Sequence, residues 1–186
     1  MRAAFRAVVF ALFLPLASPA HGALTDEDIL VQVRKDGPVI SVVVRCPVEA
    51  PTSILWDVLT DYDHMAGFIS NLEYSHVERR ADNLLRVRQS GKATRGPLSF
   101  SFDNVREIQL VPFSEIRSRL VSGDLLSSTF VTRIDSTGGL HIVHTGTYVP
   151  NTWVPPVIGP ALIEAETRKH FAEFRAEILR RAGSAR

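Results

Sequence analysis

Between residues 72 and 149 the chain reads as strands separated by turn signals, and this stretch decides what the rest can be. The strand candidates are 72–80, 84–92, 98–110, 115–121, 128–135 and 140–149. The breaks are Ala81-Asp82-Asn83, Arg95-Gly96-Pro97, Pro112, Gly123-Asp124 and Gly138-Gly139. Strands at intervals of roughly 8–12 residues with turn residues between them predict one antiparallel sheet. The segment 161–181, after a run holding four prolines, has no Gly or Pro. Ile163, Thr167, Phe171, Phe174 and Ile178 lie near one face at helical spacing, and Glu166, Lys169, Glu173, Glu177 and Arg180 cluster on another. That pattern predicts an amphipathic helix packed on something large and apolar.

Upstream, the β-branched runs 29–35 and 39–45 flank Asp36-Gly37, a hairpin signal. Pro51 then suits the first turn of a short helix over 52–59, with Ile54, Leu55, Val58 and Leu59 on one face. Residues 64–69 form a second short helix or turn. The order is strand pair, two short helices, about six strands, long helix. The expected class is α+β, with the helices segregated to one side of a bent antiparallel sheet.

Residues 1–22 follow a different rule. Arg2 and Arg6 precede a run from Ala7 to Leu14 with no polar side chain, then Pro15, Ser18, Pro19 and Ala20. A basic start, an apolar stretch and small residues make a secretory signal peptide. The run is too short for the ~20 apolar residues of a spanning helix. The expected organisation is a signal peptide at 1–22 and one domain at 23–186, periplasmic or secreted, with no transmembrane span in the mature form. Cleavage removes two arginines and no acid, leaving 19 basic against 20 acidic side chains. A near-neutral domain of this kind is not a nucleic-acid binder, which would show a strongly basic patch. The single Cys46 excludes an internal disulfide.

The segment Ala50-Pro-Thr-Ser-Ile-Leu-Trp-Asp-Val-Leu-Thr-Asp-Tyr-Asp-His-Met-Ala-Gly-Phe-Ile69 resembles the opening helix pair of the START-like polyketide cyclase/dehydratase (SRPBCC) superfamily, above all its coenzyme-Q-binding branch. The resemblance continues at Val121-Ser-Gly-Asp124, at Gly138-Gly139 and at Pro155-Pro156. It implies a helix-grip fold: a long C-terminal helix across a bent sheet of about seven strands, with an apolar cavity between them. It implies a lipid, sterol, polyketide or quinone as ligand. The strand after Gly123, Leu125-Leu-Ser-Ser-Thr-Phe-Val, departs from relatives that often carry a Gly and an aromatic there. No shared catalytic motif defines the superfamily, so the resemblance carries fold further than reaction.

If such a cavity exists, the large apolar side chains are its candidate lining: Trp56, Phe68, Phe100, Phe102 and Phe130. Tyr148, Trp153, Phe171 and Phe174 complete the set. Phe100 and Phe102 share a strand face, and Phe171 and Phe174 share a helix face that would look back at them. Trp153 lies in the approach to the helix, at a rim or gate position. Asn104 and Arg106 continue the face begun by Phe100 and Phe102. Either one points inward to orient a ligand's polar head, or a bulge turns them outward.

The other polar residues give no catalytic or metal site. Asp61-Tyr62-Asp63-His64 lacks the glycine a calcium loop needs at its sixth position and reads as a capped turn. His141 and His144 are three apart on a strand and face opposite ways. His76 is isolated, and His170, beside Phe171 on the final helix, is within reach of the cavity but reads first as a partly exposed helix residue. Cys46 reads as a small buried hydrophobe. Arg86 with Arg88, and Arg117 with Arg119, mark the solvent face of a half-buried sheet. No nucleophile-elbow, phosphate-loop or Cys-x-x-Cys motif occurs, and no cofactor is expected. The expected function is an exported binding or carrier protein for a hydrophobic small molecule. The alternative is a cyclase or dehydratase acting in the same cavity, and a partner protein bound by the sheet is a third reading.

Overall fold

The computed structural model describes residues 24–95, 98–152, 154 and 158–185. The signal peptide at 1–22, the Gly96-Pro97 break, Trp153 and Pro155-Pro156 lie outside the described residues. At 93–95, 98–100 and 158 the backbone alone is described, so the Phe100 side chain lies outside as well.

The first two strands, β1 (Leu30–Asp36) and β2 (Val39–Pro47), form the expected hairpin. Asp36 pairs with Val39 across the turn. Gly37 takes φ 55° at the first of two loop positions, the place a type II′ hairpin reserves for glycine. Along β2, Ile40, Val42, Val44 and Cys46 are buried while Val43 and Arg45 point away, as a period of two requires. Helix α1 (Thr52–Thr60) follows and buries Leu55, Trp56, Val58 and Leu59. A 3₁₀ helix at Tyr62–Gly67 takes the place of the second short helix and buries Tyr62 and Met65.

Six strands then run as a meander: β3 (Leu72–Ala81), β4 (Leu84–Arg95), β5 (Leu98–Val111), β6 (Glu115–Gly123), β7 (Leu125–Asp135) and β8 (His141–Pro150). Every neighbouring pair is antiparallel, and the sheet order is β1-β2-β8-β7-β6-β5-β4-β3. The first hairpin therefore joins the meander through β2 and β8. The resemblance implied about seven strands; among the described residues there are eight, the strand pair and the six of the meander read from the sequence.

The C-terminal helix α2 (Ile158–Ser184) closes the core. It is longer than the expected 161–181, and Pro160 falls in its first turn, where a missing N–H breaks no helical bond. Phe171, Phe174 and Ile178 press into a core that holds Leu55 and Val58 of α1, Ile142 of β8, and Leu85, Val87, Ile108 and Ile116 of the meander. Polar clamps hold the helix down. Arg175 is buried and pairs with Asp26 at 2.7 Å, and the Arg168 guanidinium donates to the Ile29 carbonyl. Arg181 bridges Asp61 at 2.8 Å and Glu177 at 2.7 Å. Glu177, expected on the solvent side, is buried beneath Arg180 and Arg181. Its carboxyl pKa is held down to about 2, first by the Arg180 hydrogen bond. Among the described residues no helix is long and apolar enough to cross a membrane.

Gly146 of β8 stands opposite Phe130 of β7. A Cβ there would overlap the Thr129 carbonyl oxygen and the Phe130 ring. Its absence lets that ring lie over β8, parallel to His144 with centroids 4.8 Å apart. Gly146→Val is expected to cost about 1–3 kcal/mol of stability, the usual price of overpacking. Urea unfolding checks this, and an unchanged midpoint would mean that the β7–β8 contact yields freely.

Candidate functional site

A cavity of about 280 Å³ lies between the inner face of the sheet and α2. Alternate residues of β5 reach it: Phe102, Asn104, Arg106 and Ile108. A bulge does occur here, but in the neighbouring strand. Val105 pairs with Ser122 and Arg106 with Leu120, so the extra residue is Val121 of β6. β5 keeps its period, and both Asn104 and Arg106 point inward. β6 adds Ile116 and Ser118, β7 adds Phe130 and Thr132, and β8 adds His144. The roof is His170, Phe171 and Phe174 of α2, with Tyr62 and Met65 closing one side.

Arg106 is the charged group of this cavity. Its guanidinium donates to Ser128 Oγ at 3.2 Å and Ser118 Oγ at 3.5 Å, and its Cζ lies 5.7 Å from the centroid of the Phe130 ring. No carboxylate among the described residues pairs with it, and the cavity lining contains no Asp or Glu. Burial lowers its pKa, opposed by Tyr62, yet a guanidinium remains protonated at any physiological pH. Burial likewise pushes the Tyr62 phenol above its ordinary value.

Two histidines face the same space. His144 is hydrogen-bonded through Nδ1 to Thr132 Oγ1 at 2.8 Å and stands 5.3 Å from the Phe171 ring. Its pKa is pulled down to about 3, by burial first and then by His170 and Arg106. His170 meets Phe174 edge-on at 4.9 Å, and burial pulls its pKa down to about 4. Both rings are neutral at pH 7. They and Arg106 keep some accessible surface although protein encloses them; the surface they keep faces the cavity.

The remaining polar groups are mostly committed. Gln89 Nε2 donates to Ser75 Oγ at 3.1 Å. Asn104 Oδ1 accepts the Asp124 N–H at 3.1 Å, which ties the β6–β7 turn to the wall. Asn71 Oδ1 is buried on the wall without a partner.

Of the aromatic residues expected at a cavity, Phe102, Phe130, Phe171 and Phe174 are on its wall. Three are not. Trp56 packs against Phe113 of the β5–β6 turn at 5.6 Å. Phe68 meets Phe174 at 5.9 Å from behind and lies under the Arg181 guanidinium. Tyr148 sits beyond Phe130 at 6.1 Å. Each fills core beside the cavity. His170, read first as partly exposed with the cavity as the alternative, is on the wall. Of the polar seam of Tyr62, Arg106, His144 and His170, residue-type reasoning missed Tyr62 and His144 and left the direction of Arg106 open. Strand parity carried the signal: Arg106 is in phase with Phe102, and His144 is in phase with the buried Ile142.

His141 faces outward, as parity required, and contacts Arg45 and the Gly139 carbonyl. The outward arginines pair with acids, Arg86 with Glu78 and Arg88 with Asp103 among them. Burial pushes the Cys46 thiol up to about 11, so no thiolate is present at neutral pH. Among the described residues no group of three or more His, Cys, Asp or Glu could hold a metal ion.

Comparison of the sequence with curated proteins finds no match. Comparison of the fold does. The STAR-related lipid transfer protein from Xanthomonas axonopodis superposes with a TM-score of 0.65 at 13% identity, over 84% of this chain and 97% of that one. The Zhui aromatase/cyclase from a Streptomyces species gives 0.62 at 16% identity, over 78% and 94%. A START superfamily protein from Mycobacterium smegmatis gives 0.59 at 15% identity, over 77% and 99%. These likenesses establish the helix-grip architecture. Residues 48–167, well over half of the chain, match one family model, and the chain belongs to that family, polyketide cyclase / dehydrase and lipid transport.

Proposed function

We propose that this protein binds or carries a hydrophobic small molecule in the cavity between the sheet and α2, and that it does so in the periplasm after loss of residues 1–22. The observation that carries the reading is the 280 Å³ space between the sheet and α2, where the apolar side chains of Phe102, Ile108, Ile116, Phe130, Phe171 and Phe174 face a seam of polar groups that can orient a ligand. That volume sits at the lower end of the ~300–1,000 Å³ common for ligand sites. It favours a quinone ring, a one- or two-ring polyketide-like molecule or a short acyl chain over a sterol. The family description and the names of the relatives, which include lipid transfer and cyclisation, agree with an apolar ligand.

The enclosed cluster of Tyr62, Arg106, His144 and His170 favours a second reading, a cyclase or dehydratase. The pKa directions lend support to the first reading. General acid–base catalysis works best with a group poised near the operating pH. Here burial drives the histidines to about 3 and 4 and the phenol upward, so no group is poised near neutrality. Binding is the better-supported role. Protein purified from the periplasm of its own host is expected to release an apolar molecule, at close to one per chain, on solvent extraction and mass spectrometry. An empty protein, or one confined to the cytoplasm, would remove the proposal. Conversion of a supplied polyketide-like substrate would shift the reading to the enzyme.

A further inference from the structure

We infer that the molecule held in the cavity carries a single negatively charged oxygen head, such as a carboxylate or an acidic enol, and that Arg106 is its anchor. This rests on the binding reading above and specifies its ligand class.

The argument starts from an imbalance. A buried charge is tolerated when it is paired and hydrogen-bonded. Arg106 has the hydrogen bonds, through Ser118 and Ser128, but not the counter-charge. Both serines are neutral acceptors. Elsewhere this chain satisfies the rule: Arg175, its other deeply buried arginine, meets Asp26, and Arg181 meets Asp61 and Glu177. Around Arg106 the groups from every packed element are neutral: Tyr62 from the 3₁₀ helix, Thr132 and His144 from β7 and β8, and His170 from α2. The counter-charge is left for a bound molecule to supply at the surface Arg106 presents to the cavity.

The same inventory limits the head to one charge. A phosphate dianion would need a second cation, and both histidines are held neutral by burial. A planar guanidinium suits a carboxylate, which it can engage through two parallel N–H···O bonds. The rest of the wall defines the remainder of the molecule. Phe102, Ile108, Ile116 and Phe171 offer apolar contact.

The test uses the mature chain and probes matched in shape but not in charge: decanoate against decanol, and naphthoate against naphthol, at pH 7.5 by calorimetry. Each acid is expected to bind at least about tenfold more tightly than its alcohol, because hydrogen bonds to charged groups exceed neutral ones by that order. Arg106→Gln is expected to bring the acid down to the level of the alcohol, and Arg106→Lys to keep a reduced preference. Near-UV circular dichroism verifies that both variants fold, and Arg106→Lys, which keeps the charge, holds the test open if Arg106→Gln does not. Equal binding of acid and alcohol, or a preference that survives in Arg106→Gln, would overturn the anchor while the binding reading stands. If neither member of either pair binds, the binding reading itself falls, and the inference with it.

Discussion

Moving from pH 7.5 to pH 5 is expected to lower the unfolding free energy by about 4 kcal/mol, roughly 2 for each of two histidines, at 1.36 kcal/mol per pH unit. His144 and His170 have folded pKa values of about 3 and about 4, against 6.5 for a free ring. Between those limits the unfolded chain binds protons that the folded chain refuses. Stability is therefore complete above pH 6.5 and drains away as pH falls toward 4. At pH 5 both folded rings are still neutral, so the loss depends on the distance below 6.5 and little on the folded values themselves. His64 works in the opposite sense, because hydrogen bonding to Asp61 raises its pKa, but it is exposed at the surface. Denaturant unfolding at the two pH values measures the effect. Each of His144→Gln and His170→Leu should remove about half of the pH slope and the double variant nearly all of it. A slope untouched by the double variant would place the acid sensitivity elsewhere.

Truncating Ile178 is the second large perturbation. Its side chain is fully buried where α2 meets the core. Ile178→Ala is expected to cost about 2–5 kcal/mol, the transfer term plus the cavity left under a helix that clamps prevent from collapsing inward. The adjacent Leu179 is 40% exposed, and Leu179→Ala is expected to stay within about 0.5 kcal/mol. Equal losses for the two would mean that α2 is rotated from the position described.

The two expectations draw on different amounts of sequence information. Burial of Ile178 follows from helical spacing alone, since Phe171, Phe174 and Ile178 repeat on one face. The meander was equally legible, because Asp82, Gly123 and Gly138 sit where the chain turns. The cavity wall was only half legible. Large apolar residues announce burial, but burial against core and burial against empty space leave the same trace in a sequence. Trp56, Phe68 and Tyr148 took the first and Phe102, Phe130 and Phe171 the second. Arg106 was ambiguous for a different reason. Its direction depended on which strand carried the bulge, and that was settled by Val121 on the neighbouring strand, fifteen residues away along the chain. His170 was left between cavity and surface because a polar residue beside Phe171 on an amphipathic helix reads as boundary, and the cavity moves that boundary inward.

The clamp between the two ends of the domain has a consequence for the time course of folding. The hairpins of the meander close over short loops, which costs little chain entropy. The contacts that tie the first hairpin to β8 and α2 cannot form that way. The β2–β8 junction joins Val42 to Gly146, and Arg175 reaches Asp26 across 149 residues of sequence. Until they close, the inner face of the sheet has no roof and its apolar wall lies open to water. Long-range closure of this kind is slow and leaves sticky surface exposed while it proceeds. Helix α2 thus completes the structure begun by the first hairpin, and the interval before it docks is when the domain is most prone to aggregate.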